Sequence, residues 1–457
     1  MIELDDILKA TDGKVINRGK SFYYKNFSID TRTIEKDDFF IAIKGEKFNG
    51  NDFVKKAFTK GASVSMVDED RFDKHDLNDA NWLILVKDCR KALIDLASFY
   101  RNKLNIKVIA VTGSVGKTTT KDLIHGVVSS KYKAFKTKGN YNNSLGLPLS
   151  ILSIDESYEA CVLELGMNHK GEIDLLSKIS KPDLAVITNI GTAHIEFLKS
   201  RKNILSAKME ITNYFTNENK LIINGDNDLL STIKKEEKDY EIITCGFNLS
   251  NDCIISKESY SKDKIEFDFS YSSNKYKFKL NGFYGKHSIL NASLAICVGF
   301  TLGLNEEEIQ TGLNNVEITP MRMEIDMQND ITIIDDCYNA SPDSMKAAID
   351  VLSNYKEKRR IALLGTMGEL GNLSFKSHEE IGSYAKNKVD MLVTFSKYNE
   401  YYKKGYGNKI FSFNNINDLY SFVLREVKKD DVILVKASRA EKYENIVRML
   451  KNNLFGN

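Results

Sequence analysis

Proline and tryptophan are scarce in this chain, with four and one among 457 residues, but other deficits say more about function. No stretch approaches the ~18 consecutive apolar residues that a membrane span needs. The amino terminus, MIELDDILKATDG, has no basic region followed by an apolar run, so it does not read as a signal peptide. Charge of one sign is lacking too: 65 Lys and Arg against 63 Asp and Glu leave +2. That balance provides no strong field for nucleic acid or a membrane surface. The six cysteines (Cys89, Cys161, Cys245, Cys253, Cys297, Cys337) form no CxxC pair. Several sit in apolar runs such as ACVLELG and AICVGF, and read as buried thiols in a reducing cytoplasm instead of a disulfide or zinc framework. No fixed-period repeat and no long low-complexity tract is evident. The exclusions leave a soluble cytoplasmic globular protein. Its length points to two to four domains, with three the central expectation.

Three segments differ in character. Residues 1–100 mix short apolar runs (DDFFIAI, ASVSMV, NWLILV) with short helical patterns, and KALIDLASFYRNKL at 91–104 reads as an amphipathic helix. Residues 101–315 open on NIKVIAVTG, a continuous apolar run ended by glycine, as a buried parallel strand requires. ACVLELG and DLAVITNIG look like further buried strands with helices between them, which predicts a parallel sheet covered on both faces. Residues 251–283 alternate instead (DKIEFDFSYSSNKYKFKL), which suggests an antiparallel excursion. Residues 316–457 resume the αβ rhythm as a smaller α/β domain. That domain has no GxGxxG after its first strand, so a dinucleotide fingerprint is absent.

The strongest local signal is Thr112-Gly113-Ser114-Val115-Gly116-Lys117-Thr118-Thr119, after a predicted strand and before a predicted helix. This is P-loop context. Glycines let backbone N–H groups turn inward around phosphate oxygens, and the helix N-terminus adds positive partial charge. Lys117 can neutralise phosphate, and the Thr118 hydroxyl can ligate Mg²⁺. The long form of the pattern would place glycine at 111, where this chain has Val111. The alternative is a chance Gly-Lys-Thr turn before a helix.

Glu164 ends a predicted strand, and His194 follows the next, so both should reach the carboxyl edge of the sheet beside the P-loop. Together they can share coordination of Mg²⁺ with phosphates. Alone, Glu164 reads as well as a surface carboxylate, and His194 as a capping or core histidine. Lys208, on a predicted helix, reads by itself as a solvated face.

The chain resembles the Mur ligase family. AVTGSVGKTTTK is similar to the family's ATP loop, and NIGTAHIE with SAKMEI resembles its metal-binding histidine and carbamoylated lysine. GKHSILNASLA, PMRMEI and DDCYNASPDSM resemble further family motifs. SIDTRTIEKDDFFIAIKGEKFNGNDF, LGTMGELGNLSFKSHEEIG and LVKASRAEKYENIV narrow the likeness to the member that adds D-alanyl-D-alanine to UDP-N-acetylmuramoyl-tripeptide. AKME stands where the family often has AKGE, KASR where it often has KGSR, and GNDF where it usually has GHDF.

The resemblance implies three α/β domains: an N-terminal module for the UDP-linked precursor, a central P-loop ATPase domain and a C-terminal Rossmann-like domain. It implies ATP, two Mg²⁺ ions and a Lys208 carboxylated by CO₂. Gly113, Ser114, Val115, Gly116, Lys117, Thr118 and Thr119 would cradle ATP, with Asn291 on adenine, Asp336 on ribose and Arg322 on the γ-phosphate. Thr118 and Glu164 would hold one Mg²⁺, His194 and Lys208 the other. Ser28, Thr31 and Arg32 are the candidates for the uridine nucleotide; a simple turn stabilised by Asp30 and Arg32 is the alternative. Asn142 and Asn143 would face the muramoyl part. Tyr338, Asn339 and Ser341 would face the dipeptide, or else form an ordinary helix entry. No nucleic acid is implied, and the absence of heptads or a long apolar stripe fits a monomer. The rivals are the ligase for the third stem residue or a folylpolyglutamate-synthetase relative, a P-loop switch or kinase, and a non-catalytic relative; SIDTR and MGELGN argue against the folate option, and Lys117, Glu164, His194 and Lys208 against the last.

Overall fold

The computed structural model describes residues 2–72, 77, 80–261 and 264–455; Lys262 and Asp263 of the alternating stretch lie outside the described residues. Three sheets follow one another along the chain.

The first layer holds α1 (Leu4–Thr11), β1 (Lys14–Asn17), β2 (Phe27–Ser28), β3 (Phe39–Ile41), α2 (Val54–Thr59), β4 (Val64–Val67) and β5 (Trp82–Leu85). Its strand order is β1-β5-β4-β3-β2, with β1 antiparallel to β5 and the other pairings parallel. Helix α3 (Cys89–Lys103) leaves it, started by Asp88, whose side chain accepts from Lys91 N–H. The helix runs past residue 100 and is pinned to the next layer. Buried Tyr100 donates to the Ile154 carbonyl at 2.6 Å, and Arg101 Nε donates to the Ser180 carbonyl at 2.7 Å.

The central layer comprises β6 (Lys107–Thr112), α4 (Lys117–Ser129), β7 (Ala134–Lys136), α5 (Gly146–Leu152), β8 (Ala160–Glu164), α6 (Glu172–Ser180) and β9 (Leu184–Ile187). It continues with α7 (Ile195–Leu198), α8 (Arg201–Met209), β10 (Lys220–Asn224), α9 (Leu230–Ile233), β11 (Glu241–Gly246), β12 (Cys253–Tyr260), β13 (Lys264–Tyr271), β14 (Asn274–Asn281), α10 (Lys286–Thr301) and α11 (Glu306–Asn314). The nine strands run in the order β14-β13-β12-β11-β10-β9-β6-β8-β7. Strands β8 and β9 are buried at every residue, as parallel strands covered on both faces must be. The alternating stretch forms the antiparallel pairs β12–β13 and β13–β14. It extends the same sheet, because β12 first joins β11 in parallel. From β6 the chain steps outward to β7, and from β9 it steps the other way to β10. The adjacent ends of β6 and β9 therefore bound a crevice of the kind in which open α/β sheets bind ligands.

The third layer holds β15 (Glu324–Gln328), β16 (Ile331–Asp335), α12 (Pro342–Ser353), β17 (Arg359–Leu364), α13 (Ser374–Ala385), β18 (Met391–Phe395), α14 (Asn399–Tyr406), β19 (Ile410–Phe413), α15 (Ile416–Glu426), β20 (Asp431–Lys436) and α16 (Glu444–Leu454). Its order is β15-β16-β20-β17-β18-β19, parallel except for β15. Among the described residues no helix is long and apolar enough to cross a membrane.

Helix α4, which carries the P-loop lysine, is clamped from outside by α11. A Cβ placed on Gly312 would lie 2.4 Å from Val127 Cα and 2.6 Å from the Gly126 carbonyl oxygen. No side chain can relieve that clash, because the obstacle is backbone. Gly312→Ala is expected to cost about 1–3 kcal/mol by overpacking, read as a lower thermal midpoint with the overall secondary structure retained by circular dichroism.

Candidate active site

The carboxyl ends of the central and C-terminal sheets face one cleft of about 730 Å³, lined by residues from Ser114 to Ala440. On the central side, the loop after β6 is shaped by two glycines. Gly113 has φ +153°, and a Cβ there would lie 1.9 Å from Thr188 Oγ1; Gly116 has φ +84°, and its Cβ would lie 2.8 Å from Asn291 Oδ1. Neighbours pin the rest of the loop. Val115 N–H donates to Asn189 Oδ1 at 2.8 Å, and Ser114 Oγ accepts from Gly191 N–H at 2.9 Å. Val111 stays inside β6 and is fully buried, so the missing glycine of the long pattern is not needed for this turn.

Lys117 Nζ and Lys208 Nζ both donate to the Gly113 carbonyl, each at 2.8 Å. Lys208 is 1% exposed, which rules out the solvated-face reading. Burial, then the neighbouring Lys117 charge, drives the Lys208 amine well below the usual lysine range. Burial also lowers Lys117, against the pull of Glu164. Glu164, 3% exposed, ends β8; Oε1 accepts from Asn142 Nδ2 at 2.9 Å, and Oε2 is buried with no partner. Asn142 therefore orients the carboxylate, and Asn143 caps the start of α5 by accepting from Leu145 and Gly146 N–H. His194 holds a left-handed backbone, φ +64°. Its Nδ1 lies 2.6 Å from Glu369 Oε2, out of hydrogen-bond alignment, so the nitrogen is left unsatisfied. The ring beside Glu369 holds that carboxyl below its usual range.

From the C-terminal side, Arg322 Nη2 donates to Thr118 Oγ1 at 3.2 Å, and its guanidinium stacks 3.9 Å over the Tyr338 ring. Asp336 is paired with buried Lys436 at 2.5 Å, and Lys436 also donates to the Asn339 carbonyl at 2.9 Å. Ser341 N–H donates to Ser344 Oγ at the start of α12. Asn291, Thr119, Tyr338, Asn339 and Ser341 line the same cleft. Ser28, Thr31 and Arg32 do not. They lie in the first layer, where Ser28 Oγ accepts from Asp30 N–H, and Arg32 is mostly exposed and forks onto Asp30. That is the turn foreseen as the alternative.

The donor set suits a hard cation beside phosphates. A buried carboxylate oxygen without a partner and a threonine hydroxyl at the helix start are what Mg²⁺ accepts when phosphate supplies further oxygens, and the His194 ring borders the same cleft. A second cluster does not serve this purpose. Cys245, Cys253 and Cys297 place their sulfurs within 4.8 Å of one another, but all three are fully buried in an apolar core away from the cleft. They are free thiols, as are the other three.

The sequence profile of the Mur ligase middle domain matches residues 111–299, that of the Mur ligase glutamate ligase domain 321–439, and that of the Mur ligase family catalytic domain 23–101. The chain is 39% identical over 431 residues to the UDP-N-acetylmuramoyl-tripeptide–D-alanyl-D-alanine ligase of Bacillus subtilis, covering 92% of each. The chain belongs to the Mur ligase family. Two solved structures are similar to this Mur ligase along nearly its whole length. MurF of Acinetobacter baumannii matches with TM-score 0.89, 29% identity and 98% of both chains covered. The MurF ligase of Thermotoga maritima, in complex with ADP, matches with TM-score 0.83 and 29% identity over 94% of this chain and 98% of that one.

Sequence reasoning missed Glu369, Lys436, Asn189 and His378 in this Mur ligase. Glu369 and Lys436 lie in stretches that carried the family likeness, MGELGN and LVKASR, but spacing along the chain does not tell which charge faces which. His378 is fully buried. Its Nε2 accepts from Met367 N–H at 3.0 Å, which ties α13 to the loop bearing Glu369.

Burial pushes the His378 imidazole down to about 4. In the unfolded chain the ring takes up a proton near 6.5, so the unfolded state binds more protons between those values. Stability is thus intact above pH 6.5 and is lost as pH falls toward 4, by up to about 3 kcal/mol. Thermal midpoints measured across that window should fall with pH. They should fall less in His378→Gln, whose side-chain oxygen can still accept from Met367 N–H without titrating.

Proposed function

We propose that this enzyme joins D-alanyl-D-alanine to UDP-N-acetylmuramoyl-tripeptide at the expense of ATP, forming the UDP-linked pentapeptide precursor of peptidoglycan. The observation that carries this reading is the 39% identity over 92% of the chain to a ligase of that name. The two-sided cleft agrees with it. Nucleotide-linked substrates and ATP fit a cytoplasmic site of action, and nothing in the proposal requires a second copy of the chain.

A free carboxylate is a poor acyl donor, because an oxide cannot leave at neutral pH. A carboxylate oxygen of the tripeptide attacks the γ-phosphorus of ATP, and the bond to the bridging oxygen breaks to release ADP. The dipeptide amine then attacks the acyl carbon, loses a proton, and expels inorganic phosphate as the amide forms. The protein's part is positioning and charge stabilisation.

In this reading the loop 113–119 and Lys117 hold phosphate oxygens, and Arg322 approaches from the other layer. Asn291 pairs with adenine through an amide that both donates and accepts. Asp336 accepts from ribose. Ser28, Thr31 and Arg32 hold the uridine nucleotide, and Asn142 and Asn143 flank the muramoyl end. Tyr338, Asn339 and Ser341 face the dipeptide. Thr118 and Glu164 would hold one Mg²⁺, His194 and Lys208 a second. The ions would neutralise phosphate oxygens. Lys208 would serve as a carbamate, formed when its neutral amine attacks CO₂ and releases a proton. Its dry site beside Lys117 favours the neutral amine, and the carbamate supplies an anionic oxygen ligand.

Phosphate release from ATP, with Mg²⁺ and bicarbonate, should require both UDP-N-acetylmuramoyl-tripeptide and D-alanyl-D-alanine and should yield a pentapeptide product by mass. Release instead with the UDP-dipeptide and a diamino acid would move the assignment to the third-residue ligase. Lys208→Ala should lose most activity, on the order of 10²-fold or more if an anionic ligand to the phosphate site is lost. Small carboxylic acids should restore part of it, and full activity without them would sink the carbamate role.

A further inference from the structure

The C-terminal layer touches the central one at a point that the ligase reading leaves without a task. Glu369 follows β17 and reaches the central side twice. Its Oε2 lies 2.6 Å from His194 Nδ1, and its carbonyl accepts from Glu196 N–H at 3.2 Å. Both partners hold left-handed backbone, φ +64° at His194 and +60° at Glu369. Such a conformation in a residue with a side chain costs of order 1–3 kcal/mol and persists where its surroundings fix it. Two residues on, Gly371 has φ +52°, and a Cβ there would lie 3.2 Å from Glu196 Cγ. The approach of the two segments is therefore built for contact.

An imidazole ligates a metal through one nitrogen, and the group at its other nitrogen decides the tautomer. We propose that Glu369 is a positioning residue: its carboxylate, 2.6 Å from His194 Nδ1 but out of hydrogen-bond alignment with it here, turns to accept the Nδ1 proton once nucleotide and UDP precursor are bound, and leaves the Nε2 lone pair as the ring's donor toward the cation. The inference rests on the ligase reading, in which His194 is a magnesium ligand. It makes the metal site on the ATP side depend on a residue of the domain proposed to bring the dipeptide.

The test uses Glu369→Ala and Glu369→Gln in the full chain with ¹⁵N-labelled histidine rings. The protein is saturated with UDP-N-acetylmuramoyl-tripeptide and a non-hydrolysable ATP analogue, without divalent ion, and His194→Gln assigns the resonance among the six histidines. Wild type should show His194 protonated at Nδ1 and bare at Nε2. The glutamine variant should keep most of that form, because its amide oxygen can still accept. The alanine variant should shift toward the other tautomer. In steady state, the Mg²⁺ concentration for half-maximal phosphate release should rise roughly 10–100-fold in Glu369→Ala and less in Glu369→Gln, with KM for the UDP precursor unchanged. An unchanged tautomer and Mg²⁺ dependence in Glu369→Ala would overturn the proposal, even if kcat fell, since a mere latch would do that. Should wild type release no phosphate with this substrate pair, the ligase reading fails, while the tautomer comparison still decides the role of Glu369.

Discussion

Two lysine side chains donate to one carbonyl oxygen, that of Gly113, where Lys208 is buried and Lys117 borders the cleft. Like charges that close repel strongly where the dielectric is low. The arrangement is relieved when Lys208 is neutral or when anions join it. The features around it follow from that condition. Glu164 ends the neighbouring strand with one oxygen unspent, helix α4 points its N-terminus at the same space, and Arg322 closes it from across the cleft. The pocket is thus preorganised for phosphate and carboxylate oxygens before either arrives.

Preorganisation at this density needs backbone that can approach closely. Gly113 and Gly116 permit it at the loop, and the close fit of α11 on Val127 holds α4 in line behind it. On the other side, β16, β17 and β20 bring Asp336, Glu369 and Lys436 to the facing edge. Each layer offers part of the polar surface, and some of it, such as Asp336 with Lys436, is paired within the layer. Docked, the halves pair: Arg322 with Thr118, and Glu369 beside His194. The division of one site between two sheets means that this charge pattern is complete only where the layers meet.

The parallel core strands were legible because a strand buried on both faces must be a continuous apolar run, as ACVLE and LAVI are. The P-loop was legible because its geometry imposes glycine, lysine and threonine at fixed offsets. Glu164 and His194 could be placed at the right edge by counting from strand ends, but not shown to be buried. Lys208 could not be found from spacing at all. Its helix has an ordinary surface pattern around it, and only the family likeness marked it out. Asn142 was assigned to the muramoyl part of the substrate, and its bond to the site carboxylate was not legible, because an Asn-rich turn reads the same whichever way its amide faces.

By itself the sequence determined the elements, the phosphate loop and the family, since these depend on residue type at short range and on motifs that a fold cannot easily exchange. The tertiary structure alone decided which charges meet. Lys117 and Lys208 are separated by 91 positions and His194 and Glu369 by 175, and no local propensity links residues so far apart. Their contacts, the burial that lowers the proton affinity of Lys208 and the pairing of Asp336 with Lys436 arise from sheet order and layer docking. Electrostatics in a dry cleft depends on distance in space, which the order of residues along the chain does not encode directly.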